Sequence, residues 1–176
     1  MKAIAEMLLA ELAAYVQTYL QQVGIQVVLS GGSAVSYYSD NLYVSKDVDL
    51  IDNGLASRKQ IRKAMEQIGF QSDGRYFRHP DTEILVEFPG GPLSVGEDLV
   101  RDFQTAQLQT GTLRVITPTD CVKDRLCAFY FWNDRQGLAQ AILVAKRQTI
   151  DLEEIRQWSV REGQQEKFEK FQSQMA

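Results

Sequence analysis

The stretch that most limits what this chain can fold into runs from Ile25 through Val27, Val28 and Leu29 to Ser30, Gly31, Gly32 and Ser33. A short, nearly all-apolar run of the kind that makes a buried strand stops at two adjacent glycines, after which residues 33–39 read as a short helix. Residues 40–46 are polar and loop-like. Residues 47–51 then alternate acidic and apolar side chains with period two. Asp47 and Asp49 therefore project from one face of a strand and Val48 and Leu50 from the other, while Lys46 falls on the face opposite Asp47 and is left out of the site.

Taken together, the two halves suggest chemistry. Carboxylates crowded on one strand face raise each other's pKa unless a cation neutralises them, and hard divalent cations, Mg²⁺ above all, use such carboxylates together with substrate phosphates. Unpaired N–H groups at a glycine turn that opens a helix attract phosphate oxygens. Gly31 and Gly32 let a phosphate approach the backbone, and Ser33 can add a hydroxyl. Either half alone is commonplace, a tight turn or a solvated strand end. Their order is more specific, because the thirteen residues between Ser33 and Asp47 suffice for a short helix and a return loop into the adjacent strand.

Gly31-Gly32-Ser33 followed by Asp47-Val48-Asp49 resembles the signature of the DNA polymerase β-like nucleotidyltransferase superfamily. There, a Gly-Gly or Gly-Ser pair precedes a helix, a loop and an Asp-x-Asp or Asp-x-Glu strand. The resemblance implies an α/β (α+β) fold class: a nucleotidyltransferase-like mixed β-sheet flanked by helices, with a C-terminal helical segment. It also implies a third carboxylate on a later strand. Glu87, in Leu85-Val86-Glu87-Phe88, is assigned to it over Glu83, which shares its face but lies farther from the strand end.

The implied reaction moves a nucleoside monophosphate from an NTP to a hydroxyl of a protein or RNA acceptor, with pyrophosphate leaving. Asp47, Asp49 and Glu87 would ligate two Mg²⁺ ions, and Gly31, Gly32 and Ser33 would hold the triphosphate. Glu87 would ligate the second ion or help activate the acceptor. Two features depart from the pattern: Ser30 is polar where the position is usually apolar, and the third acid is Glu where Asp is common. The alternative is a catalytically silent relative, acting as a nucleotide-binding or toxin–antitoxin-type interaction module. An unrelated α/β domain is the third reading.

Around this signature, Ile4, Leu8, Leu12, Val16 and Leu20 predict a helix over residues 2–22, closed by Gly24. Ser57 caps a second helix to about Ile68, with Ile61, Ala64 and Met65 inward and Arg58, Lys59, Arg62 and Lys63 outward, read as a solvated basic face. Residues 75–79 and 82–88 form a hairpin around Pro80-Asp81, residues 103–108 pair with 112–116, and Pro89 to Pro92 stops the strand before them. Helices follow over about 120–132, 134–146, from 151, and 166–174. This divides the chain into a 1–117 α/β core and a 118–176 helical segment packed on it as one compact unit. Phe129, Tyr130, Phe131 and Trp132 read as core. Lys123, Asp124, Arg125, Asp134 and Arg135 read as surface or inter-helix ion pairs, with Lys123 and Arg125 the first to test for a part in the site.

Composition enters mainly by exclusion. At 176 residues the length suits one domain. The formal net charge of −4 provides no field for constitutive DNA or RNA binding, so a nucleic-acid contact would need a local basic patch. Cys121 and Cys127, six apart, face different ways on a helix and read as reduced thiols rather than a zinc site. His79 is the only histidine and reads as a turn residue. No P-loop motif occurs. The sequence shows no leader pattern and no membrane-length apolar run, which predicts a cytoplasmic protein without membrane contact, with NTP and an unidentified acceptor as its partners.

Overall fold

The computed structural model describes residues 2–52, 54 and 56–176. Its organising strand is β1 (Val27–Ser30), buried at every position, as expected of an apolar run flanked by sheet on both sides. The helix α2 (Gly31–Tyr38) begins at Gly31 itself, at the glycine pair expected to open it. The chain returns as β2 (Asp47–Asp52), antiparallel to β1, with Val27 opposite Asp52 and Ser30 opposite Asp49.

A seven-stranded mixed sheet forms around this pair. The strands β3 (Gln71–Asp73), β4 (Tyr76–His79) and β5 (Thr82–Glu87) make an antiparallel meander, and β5 runs parallel beside β2. On the other flank, β8 (Phe103–Leu108) and β9 (Gly111–Ile116) form a hairpin whose second strand is parallel to β1. The spatial order is β3-β4-β5-β2-β1-β9-β8. A separate small hairpin, β6 (Ser94–Val95) and β7 (Asp98–Leu99), follows the Pro-Gly stop. Neither it nor β3 is legible from periodicity, since strands of two or three residues carry too little pattern.

Packing follows from the amphipathic faces. The helix α1 (Leu9–Gln22) buries Leu12, Val16 and Leu20, each side chain worth roughly 1.5–3 kcal/mol of burial. Gln17 fixes its register against β9: its Nε2 donates to Arg114 O at 2.9 Å and its Oε1 accepts from Arg114 N at 2.6 Å. The expected 2–22 helix is broken, because Met7 and Leu8 are extended between a 3₁₀ turn at Ile4–Glu6 and α1. Glu11 accepts the Leu8 N–H at 2.8 Å, which fixes the later start. The helix α3 (Arg58–Gln67) turns Ile61, Ala64 and Met65 inward and its cations outward.

The C-terminal helices are α4 (Pro118–Trp132), α5 (Arg135–Arg147), α6 (Leu152–Arg161) and α7 (Gln165–Met175). Gly137 lets α5 approach α4 closely, for a Cβ there would lie 2.7 Å from Arg125 O. Tyr130 stacks on buried Trp158 with ring centroids 5.5 Å apart. Gln148 Nε2 donates to Tyr38 O at 2.8 Å, and Arg147 pairs with Asp40 at 3.0 Å, tying this segment to the end of α2 and the loop beyond it.

The aromatic cluster is core only in part. Phe129 and Tyr130 are buried, but Phe131 is 47% and Trp132 77% exposed, since α4 ends there at Asn133 in the left-handed conformation. Lys123 is buried between Asp120 and Glu154, an inter-helix pairing. Cys121 and Cys127 are free. His79 Nδ1 accepts the Asp81 N–H at 3.1 Å within its turn. No helix among the described residues is long and apolar enough to cross a membrane.

Candidate active site

The parallel pairing of β2 with β5 puts Asp49 directly beside Glu87, and Asp47 lies two residues earlier on the same face. One carboxylate oxygen from each of the three lies within 4.8 Å of the others. All three side chains are half-buried. Glu83 is four residues back along β5, exposed, and outside this cluster.

Each acid has a distinct setting. Ser45 Oγ donates to Asp47 Oδ1 at 3.0 Å. Glu87 faces the Nε of Arg75 at 3.5 Å, with Arg75 itself largely in solvent. Asp49 is pushed up to about 7, first by burial and then by the negative charges of Asp47 and Glu87, with Arg125 opposing the shift. Arg125 is half-buried on α4, oriented by Asp124 at 3.0 Å through its Nε. Three crowded carboxylates with hard oxygen donors fit a divalent cation of the Mg²⁺ type, which would remove the repulsion that raises Asp49.

The glycine turn closes against these acids. Gly31 has φ of +59°, and a Cβ there would lie 2.4 Å from Asp49 Oδ2. A Cβ at Gly32 would lie 3.3 Å from both the Ser45 and the Tyr43 hydroxyls. Ser30 precedes the helix without a side-chain capping bond, so the first N–H groups of α2 receive no hydroxyl from it.

Ser33 requires a correction. It is fully buried, its Oγ donating to Ser30 O at 2.8 Å and accepting the Asp49 N–H at 3.0 Å. The hydroxyl expected to face a phosphate instead ties the start of α2 to β2 and holds the Asp49 backbone in place.

Several neighbours were not assigned from the sequence. Arg75 follows Gly74 in the β3–β4 turn, and only the register of Tyr76 opposite Glu87 reveals its reach. Next to Asp47 is a cavity of about 450 Å³ lined by Tyr43, Ser45, Lys46, Tyr76 and Gln136. Gln136 comes from the first turn of α5, so the C-terminal segment reaches the site through it as well as through Arg125 of α4.

No protein-family model matches the chain, and no curated protein matches it in sequence. Among solved structures, it is similar to an antigenic nucleotidyltransferase-like protein from Paracoccidioides brasiliensis, at 14% identity over 77% of this chain and 74% of that one, with a TM-score of 0.61. A solution structure of the antibiotic-resistance factor ANT(2'')-Ia matches at 11% identity over 74% and 79% of the two chains, TM-score 0.47. A crystal structure of ANT(2'')-Ia in complex with adenylyl-2''-tobramycin matches at 11% over 92% and 95%, TM-score 0.48. The first of these similarities shows that the chain has a nucleotidyltransferase-like fold.

Proposed function

We propose that this chain is a metal-dependent nucleotidyltransferase that transfers a nucleoside monophosphate from an NTP to an acceptor hydroxyl. The observation that carries the reading is the convergence of Asp47, Asp49 and Glu87 within 4.8 Å beside a glycine turn whose φ is +59° at Gly31. An isolated carboxylate triad of this kind is costly, and an uncapped helix start next to it attracts anions. The two features together suit a metal–triphosphate ligand.

Divalent cations held by Asp47, Asp49 and Glu87 would supply charge neutralisation and in-line alignment of the attacking and leaving oxygens. The chain's own residues do the rest. The Gly31 and Gly32 N–H groups take triphosphate oxygens, and the missing side chains leave room for Asp49 and for the Ser45 and Tyr43 hydroxyls packed against the turn. Ser33 and Ser45 fix Asp49 and Asp47, through the Asp49 N–H and Asp47 Oδ1 respectively. The positive charge of Arg125 opposes the protonation of Asp49. Glu87, at the end of β5, would ligate the second ion or help activate the acceptor hydroxyl.

The test is label transfer from each α-labelled NTP, with Mg²⁺ and a cell extract. Expected is transfer that disappears in Asp47→Asn plus Asp49→Asn. Transfer that survives in this double variant overturns the assignment of the site. Metal-dependent NTP binding by calorimetry without any transfer would identify a silent nucleotide-binding module instead.

A further inference from the structure

The basic face of α3 has no part in the carboxylate site. Between Arg58 and Arg78 there are six cations and two carboxylates, in a chain whose formal net charge is −4. Arg58, Lys59, Arg62 and Lys63 are all exposed. Among the described residues, only Arg62 of these four has an ion-pair partner, Glu66 at 4.0 Å in a contact that is exposed on both sides. Isolated, such a face would be an ordinary solvated helix surface.

The structure connects it to the candidate site. The Arg58 guanidinium packs over the Phe77 ring, 4.9 Å from its centroid, and donates to Gly74 O at 3.0 Å and Arg75 O at 3.2 Å. Arg75 then reaches around the sheet end to Glu87. Phe77 and Tyr76 are adjacent on β4 and point to opposite faces, so Arg58 and Arg75 carry one line of positive charge from the helix side of the sheet over to the carboxylate side. Beside α3 is a cavity of about 470 Å³, floored by Ile25 and Ala64 and edged by Gln60, Lys63 and Gln67. Apolar floor and amide edge suit the face and the hydrogen-bonding edge of a nucleobase.

The geometry points to a track for a single-stranded polynucleotide, whose phosphates follow Lys63, Arg62, Lys59 and Arg58 to Arg75 and whose terminal hydroxyl arrives at Glu87. This names the acceptor class for the transferase reading and rests on it for the meaning of the end point. Exposed cations without buried partners match a phosphodiester backbone. The hollow beside the cations, roomy enough for a base and offering it an apolar floor and amide edge, distinguishes this partner from an acidic peptide.

The experiment reads binding without catalysis. A fluorescein-labelled single-stranded RNA 12-mer is titrated by anisotropy in EDTA and without NTP, at several salt concentrations. The proteins are the parent chain, Lys59→Glu/Arg62→Glu/Lys63→Glu, and Asp47→Asn/Asp49→Asn. Circular dichroism melts confirm that each is folded. Expected is salt-dependent binding by the parent, with the salt slope falling by about two in the triple variant, given roughly 0.7 per phosphate contact in single strands. Binding at least as tight is expected in the Asp47/Asp49 variant. The inference is overturned if the parent shows no salt-dependent binding, if the triple variant binds as the parent does, or if polyglutamate displaces the RNA at equal charge concentration. Loss of transfer with RNA binding intact would count against the transferase reading alone.

Discussion

The Cβ that Gly31 lacks would lie 2.4 Å from Oδ2 of Asp49, closer than real Cβ atoms come to another heavy atom. The glycine is thus required twice, once by its positive φ and once by the carboxylate pressed against it. Gly31→Ala must strain the turn or displace the acid. The expected outcome is a loss of stability of about 1–3 kcal/mol with loss of Mg²⁺-dependent transfer. Gly24→Ala, also at positive φ but with open space around it, is expected to lose only stability. Denaturant melts and label transfer on both variants check this.

Asp49 makes stability depend on pH in an unusual direction. Its folded pKa of about 7 is above the ordinary value of 3.8, so the native state binds this proton more tightly than the unfolded chain. The metal-free protein therefore loses stability from this group as pH rises from about 4 to about 7, and regains it as pH falls. Asp49→Asn abolishes the loss and is expected to be more stable than the parent at pH 8 by an amount on the order of a few kcal/mol. Melting curves at pH 5 and pH 8 in EDTA measure the difference. Adding Mg²⁺ at pH 8 is expected to stabilise the parent and leave Asp49→Asn unchanged.

Ser33 separates positioning from ligand contact. Its buried hydroxyl has one partner in each direction, Ser30 O and the Asp49 N–H. Removing it leaves a buried donor unsatisfied, so Ser33→Ala is expected to lose about 1–3 kcal/mol of stability. NTP affinity, measured by calorimetry below the melting range, is expected to remain near that of the parent. A large loss of triphosphate affinity without loss of stability would restore the phosphate contact to Ser33.

What could be read from the sequence was whatever repeats within a few residues. The alternation of Asp47, Val48, Asp49 and Leu50 fixed which faces those side chains take, and the Gly31-Gly32 break fixed where the strand must end. Glu87 could be preferred over Glu83 only by its place near a strand end. What puts it beside Asp49 is a pairing between strands 38 residues apart, and no local pattern encodes that register. Arg75 and Ser45, in connecting segments, and Gln136, in the first turn of α5, reach the site for the same reason, through tertiary packing that no local pattern encodes. Met7 and Leu8 interrupt a helical pattern that is otherwise continuous, because the Glu11 side chain captures the Leu8 N–H, a competition that periodicity does not register.

The two tryptophans provide the sharpest contrast between pattern and packing. Trp132 belongs by sequence to the run from Phe129, yet α4 ends at Asn133 and leaves its ring 77% exposed. Trp158 is fully buried and stacked on Tyr130. Trp132→Ala is therefore expected to change stability by no more than about 0.5 kcal/mol, whereas Trp158→Ala should cost about 3–5 kcal/mol by leaving a cavity between α4 and α6. The buried Trp158 Nε1 has no hydrogen-bond partner among the described residues, so Trp158→Phe removes an unsatisfied donor along with part of the ring. Its cost is expected to fall well below that of Trp158→Ala. Urea melts followed by circular dichroism rank the three variants, and a Trp158→Phe as damaging as Trp158→Ala would show that the indole N–H has a partner in solution.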